Sequence, residues 1–256
     1  MWVGISLMLY YALSIRSLLA DFRRGALETS ALRRRNHDRV PLWEKSIDYS
    51  VASVMAIIMV QLVYDKWADH SLIYLLQPCH LMLVIQAAAL LRDDALWIQL
   101  PILTMPYLAG TLLAVFVPAT SGLSKREVIL YFIQHYLLNL VPFWLLCRRK
   151  FSSLLLCNHR VVFAGTWLFN TVQWTFYESL ALLSGVNIQF MLCPTQAMQE
   201  FFSQLSSFLL LPSYRSFIVF TVGPLSIILS YMYIQISRII ASRLLSQTLS
   251  EKRKKK

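Results

Sequence analysis

Leu72-Ile73-Tyr74-Leu75-Leu76-Gln77-Pro78-Cys79-His80-Leu81-Met82-Leu83-Val84-Ile85-Gln86-Ala87-Ala88-Ala89-Leu90-Leu91 holds no Asp, Glu, Lys or Arg in twenty residues. At 1.5 Å per residue such a helix reaches about 30 Å, the thickness of a bilayer's hydrocarbon core. The stretch reads as a membrane span, and its Gln77-Pro78-Cys79-His80 step is the anomaly within it. Pro78 has no N–H for the carbonyl of Tyr74, so the helix is expected to kink or open just before Cys79. Irregular backbone at membrane depth is tolerated where it is buried in protein or lines a cavity.

The rest of the chain fits a membrane setting. Of 256 residues, 57% are hydrophobic and 14% charged, with mean hydropathy +0.55. Soluble domains carry roughly 25% charged residues, so there is too little charge to coat a globular surface. A Rossmann enzyme, a secreted disulfide scaffold and a disordered chain are excluded on composition, and seven glycines argue against a Gly-rich phosphate cradle. Apolar runs of spanning length give seven candidates: Trp2–Ala20, Tyr49–Tyr64, Leu72–Leu91, Ile98–Val117, Val128–Leu146, Val161–Val186 and Leu211–Ile236. The second is the shortest, and Lys45 or Lys66 can snorkel to help it fit. The first lacks the basic start of a cleaved signal peptide and is too long for one.

The net charge of +11 then becomes an orientation. Alternate connections hold 19 of the 24 Lys/Arg, in Asp21–Ser46, at Arg92, in Arg148, Arg149, Lys150 and Arg160, and from Arg238 onward. By the positive-inside rule that side is cytosolic. The expected fold is therefore all-α: a polytopic protein of seven transmembrane helices, N-terminus lumenal and C-terminus cytosolic. Residues 1–240 form one transmembrane domain and 241–256 a cytosolic basic tail. The tail ends Lys252-Arg253-Lys254-Lys255-Lys256. Lysines third and fifth from the end have the form of a dilysine retrieval signal, which points to the endoplasmic reticulum or Golgi membrane. The plainer reading is a polybasic tail attracting anionic lipid. No folded basic surface accompanies it, so no nucleic-acid partner is expected.

Polar groups inside spans are costly and therefore functional candidates. Span three holds Gln77, Cys79 and His80; span five holds Gln134, His135 and Asn139; span six holds Asn170, Gln173 and Glu178. Counting from the lumenal boundary, Cys79, His135 and Glu178 lie seven or eight residues in, roughly 10–12 Å deep. A thiol, an imidazole and a carboxylate in one layer make up nucleophile, base and orienter. Equal depth permits contact without establishing it, because the rotation of each helix is not known from sequence. The rival for Cys79 is an ordinary packing kink with a small buried thiol. His80 follows Cys79 and points about 100° away around the helix. Cys147, Cys157 and His159 match no zinc spacing, while His37 and His70 read as loop residues. No metal and no cofactor are expected. Cys193 sits on the lumenal side, where a disulfide to Cys79 is chemically open.

Three segments carry a resemblance: Ile73-Tyr74-Leu75-Leu76-Gln77-Pro78-Cys79-His80, then Tyr131-Phe132-Ile133-Gln134-His135, then Val186-Asn187-Ile188 leading to Met191-Leu192-Cys193-Pro194. Here the chain resembles the transmembrane protein 164 family, over about residues 45–235. The resemblance implies a seven-span phospholipid acyltransferase with a cysteine centre. Such an enzyme moves a polyunsaturated, typically arachidonoyl, chain from phosphatidylcholine to a lyso ether-phosphatidylethanolamine. Its active cysteine lies in a Pro-Cys-His motif, which here is Cys79. The related androgen-induced intramembrane hydrolases use a threonine and a histidine on different spans, which makes His135 the natural partner. His80, Gln134, Asn139, Asn187 and Cys193 stand as supporting candidates. Glu178 matches nothing in the family's pattern, so its role as orienter rests on depth alone.

The expected mechanism is a two-step exchange through a Cys79 thioester with His135 as base. Gln77, Gln134 or a backbone N–H near the Pro78 break are the candidates for oxyanion stabilisation, and sequence selects none of them. The expected partners are phospholipid and lysophospholipid substrates. Two alternatives remain at this level. One is an intramembrane lipid ester hydrolase using the same pair. The other is a non-enzymatic membrane scaffold with a Cys79–Cys193 disulfide.

Overall fold

The computed structural model describes residues 41–92, 104–116, 118–147 and 171–188, with isolated helical positions beyond them. Helix α1 covers Leu42–Ala68, 27 residues. It outruns the expected span Tyr49–Tyr64 at both ends, reaching about 40 Å against a hydrocarbon core of about 30 Å. Two buried carboxylates explain the difference, because each finds a partner that lets the helix continue past it. Near the N-terminal end, Trp144 Nε1 donates to Asp48 Oδ1 at 2.6 Å. Near the C-terminal end, Asp65 Oδ1 accepts from Arg126 at 2.5 Å and from Gln61 Nε2 at 2.9 Å.

Those two ties also set direction. Asp48 and Trp144, like Asp65 and Arg126, join opposite ends of α1 and of a long helix over Lys125–Cys147, so the two run antiparallel. The chain leaves α1 through a turn in which His70 takes φ 53°. Ser71 N–H donates to Lys66 O and His70 N–H to Trp67 O, a Schellman pattern that uses up the last carbonyls of the helix.

The next segment opens just before Cys79, one of the two outcomes expected of Pro78. Leu72–Leu91 is not one kinked helix but two pieces. A 3-10 turn spans Leu72–Leu76, and Gln77 is extended at φ −58°, ψ 140°. Helix α2 then starts afresh, over Pro78–Leu91, with the proline in its first turn. Proline is favoured there because the N–H it lacks would be unpaired anyway. Helix α3 covers Met105–Phe116, within the expected span Ile98–Val117. Helix α4 is Lys125–Cys147. It opens on a capping box in which Ser124 N–H donates to Glu127 Oε2 and Glu127 N–H to Ser124 Oγ. A π-helical stretch, Val172–Tyr177, runs into the short helix α5, Glu178–Ser184. Gly185 ends α5 at φ 69°, a conformation that glycine adopts without Cβ strain.

Among the described residues every regular element is helical, so the fold is all-α. The core is apolar where α1, α2, α3 and α4 meet, around Met55, Met82, Leu108 and Leu138. Yet Gln86, Thr111, Gln134 and His135 are also buried, while Ile57, Val60, Ile129 and Leu140 face outward. Polar side chains inside and large apolar ones outside suit a lipid surround. Among the described residues two helices, Leu42–Ala68 and Lys125–Leu145, are long and apolar enough to cross a membrane, and α2 is apolar but shorter. The expected first span, nearly all of the seventh and of the basic tail, and the placement of both termini lie outside the described residues.

Candidate active site

The break before α2 frees carbonyls, and those of Tyr74 and Leu76 acquire donors from elsewhere. Tyr74 O cannot receive a bond from Pro78 and accepts instead from Gln77 N–H at 3.1 Å and His80 Nδ1–H at 2.9 Å. Leu76 O accepts from the Tyr177 hydroxyl at 2.5 Å. Gln77 O accepts from the N–H groups of His80 and Leu81. The irregular backbone is thus satisfied from within the protein, as membrane depth requires. Cys79 stands just behind Pro78 on the first turn of α2, half-buried and a free thiol. The dipole at a helix start favours negative charge on such a sulfur.

Helix α4 supplies the opposite wall. Pro142 lies inside it and denies a bond to Leu138 O, which accepts from Gln86 Nε2 of α2 at 3.0 Å. That bond sets the register of the two helices. Seven residues back from Gln86 and Leu138 stand Cys79 and Tyr131, with Gln134 and His135 a turn further on along α4. Gln134 lies beside the Cys79 thiol, and Tyr131 and Tyr177 are close enough to interact with it.

His135 is 4% exposed. Its Nδ1–H donates to Tyr131 O at 2.7 Å, and its ring lies 4.1 Å from the Tyr131 ring at 38°. A carbonyl can only accept, so Nδ1 carries a proton, which leaves Nε2 as the basic nitrogen of the neutral ring. Tyr131 is in turn fixed by its hydroxyl on Ala114 O at 3.0 Å. Asn139 Nδ2 donates to His135 O at 2.7 Å, and Thr111 Oγ1 donates to Asn139 Oδ1 at 3.1 Å. A neutral base with its free nitrogen set by a polar scaffold is the result.

The structure therefore sorts the sequence candidates. Cys79, His80, Gln134 and His135 gather where α2 faces α4, while Asn139 braces the α4 backbone. The thiol's own hydrogen bond runs to Gln77 Oε1 at 3.9 Å, not to His135. His80 is buried with its Nδ1 committed to the break, and its ring interacts electrostatically with His135. Glu178 is half-buried at the start of α5. Its neighbour Tyr177 is the residue that turns inward, at 1% exposure. Asn187 is half-buried beside the buried Ile188, and Cys193 lies outside the described residues. Sequence reading passed over Tyr131, Tyr177 and Gln86. The signal for Gln86 was available, since a proline at 142 frees the carbonyl at 138. Among the described residues, no three of His, Cys, Asp and Glu come together to hold a metal ion.

Comparison with known proteins agrees with the motif segments. Over 205 residues the chain is 28% identical to a Dictyostelium discoideum protein described as a transmembrane protein 164 homolog, covering 78% of this chain and 71% of that one. No solved structure matches. Residues 3–233 match the TMEM164 family, nearly the whole length, and the chain belongs to that family.

Proposed function

We propose that this protein is an intramembrane phospholipid acyltransferase. It moves a polyunsaturated, arachidonoyl-type chain from phosphatidylcholine to a lyso ether-phosphatidylethanolamine. In this reading it crosses the membrane of the endoplasmic reticulum or Golgi seven times, N-terminus lumenal and C-terminus cytosolic. The observation that carries the reading is the free Cys79 thiol on the first turn of α2, facing a wall of α4 where buried His135 keeps Nε2 unprotonated. Those are a nucleophile and a base on two facing helices.

The chemistry follows in two steps. Nε2 of His135 takes the thiol proton once Cys79 turns from Gln77. The sulfur attacks the donor's ester carbonyl and a tetrahedral oxyanion forms. Its collapse breaks the ester C–O bond, the lysophospholipid oxygen takes the proton back from the imidazolium, and an acyl thioester remains on Cys79. His135 then takes the proton of the acceptor hydroxyl, which attacks the thioester; the C–S bond breaks and the departing sulfur takes the proton back from the imidazolium. An apolar surround disfavours the thiolate, so transfer of the proton inside the pair matters more here than in water. Water in place of the acceptor would yield free fatty acid, and product analysis separates the two outcomes.

The test is lipid profiling of membranes bearing wild type, Cys79→Ala or His135→Ala at matched expression. Both substitutions should abolish acyl exchange, since nucleophile and base act as a unit. Unchanged exchange in Cys79→Ala would remove the mechanism.

A further inference from the structure

Gln134 is 2% exposed, and its Nε2 has no hydrogen-bond partner. A buried amide donor left unpaired is costly; Asp65 Oδ2 and Gln86 Oε1 are also buried without a partner, but both are acceptors and neither is on this wall of the site. The group also has a meaningful address: it lies within reach of the Cys79 sulfur, where an amide N–H favours negative charge, on the α4 wall that faces the first turn of α2. Gln77, the other amide near the sulfur, is only half-buried and engages the thiol through its oxygen, which is an acceptor. An acceptor repels an oxyanion; a donor awaiting a partner attracts one.

We propose that Gln134 Nε2 is the oxyanion donor of the site, holding the ester carbonyl oxygen of an acyl lipid as it becomes negative, with the first-turn N–H of Cys79 as second donor. The assignment rests on the thioester reading above and deepens it. As the sulfur–carbon bond forms, the carbonyl π electrons move onto oxygen, and Gln134 meets that charge. When the tetrahedral species collapses, the charge returns to the carbonyl and the amide is released. The same donor serves the second step, in which the acceptor oxygen attacks the thioester. Because the amide is unpaired before substrate arrives, it is free to bond most strongly to the transition state, the condition for raising the rate rather than merely tightening binding.

The test pairs acyl transfer with alkylation of Cys79 by iodoacetamide, on full-length protein in membranes. Alkylation forms a C–S bond and expels iodide without any oxyanion. Gln134→Met keeps the volume and removes the donor. Acyl transfer should fall about 10²- to 10³-fold, with alkylation of Cys79 falling far less. A parallel fall in both rates would make Gln134 a structural residue and overturn the proposal, as would undiminished transfer. Gln134→Glu provides an independent arm should the Met variant fail to accumulate. Its transfer should drop relative to wild type as pH rises from about 6 to about 9, where a buried carboxyl ionises and turns from donor to acceptor. A pH profile parallel to wild type would overturn the assignment. Transfer that survives in Cys79→Ala would instead overturn the thioester reading, so the two failures are distinguishable.

Discussion

Pro78 and Pro142 pose the same problem to the chain and receive opposite solutions. Each lacks the N–H that a carbonyl four residues earlier would accept, Tyr74 in one case and Leu138 in the other. At Pro142 the helix continues to Cys147, and the donor comes from another helix, Gln86 Nε2 at 3.0 Å. At Pro78 the helix ends and restarts, Gln77 becomes extended, and the donors are Gln77 N–H and the His80 ring from the same stretch of chain. The Tyr177 hydroxyl on Leu76 O holds the break open from a third segment. A proline therefore specifies which carbonyl is freed. Whether the helix kinks, breaks or passes through depends on where a donor can be found. Only the break creates a new helix start within the apolar region, and Cys79 occupies it.

The comparison is broken most directly by replacing the prolines. In Pro78→Ala the new N–H can bond Tyr74 O, letting the helix run on through Gln77 and turning Cys79 from a first-turn into a mid-helix residue. Displacement of a reacting group by about 1 Å can cost about 100-fold, and acyl exchange in membranes is expected to fall by at least that order. Pro142→Ala, which leaves α4 helical, should keep exchange within about 2-fold. Equal losses in both variants would show that the break has no catalytic meaning.

A smaller effect is expected from the donor on the far side. Gln86→Met leaves Leu138 O buried without a partner and should cost about 1–2 kcal/mol in thermal unfolding of the solubilised protein. The cost is moderated because Gln86 Oε1 is itself buried without a partner. In a Pro142→Ala background the restored N–H serves Leu138 O, and the same substitution should become nearly neutral. Additive losses in the double variant would contradict this account of the Gln86 bond. The smallest change belongs to His80→Phe, for Tyr74 O keeps its bond from Gln77 N–H. A cost near 0.5–1 kcal/mol is expected, below that of Gln86→Met when measured in the same melt.

Much of this was visible in the chain before folding. The break was announced by Pro78 inside an apolar run, and the position of the polar groups by their rarity there. The extent of α1 was not. Asp48 and Asp65 read as span limits, and only Trp144 and Arg126, both far away in sequence, allow the helix to include them. Glu178 was placed in the polar layer by depth, and in the structure it is half-buried next to the fully buried Tyr177. Depth counts residues along an axis, whereas orientation depends on a rotation that changes by about 100° at each step.

By itself, then, the sequence determined which segments are apolar enough for lipid, which family the chain joins, and which two carbonyls its interior prolines would free. The tertiary structure decided which side chains face one another across α2 and α4, which donor serves each freed carbonyl, and which amide is left without a partner beside the thiol. The division has a physical origin. Solvent preference and a missing N–H are properties of single residues, whereas pairing a buried polar atom requires a second atom at about 3 Å, often from the other side of the fold.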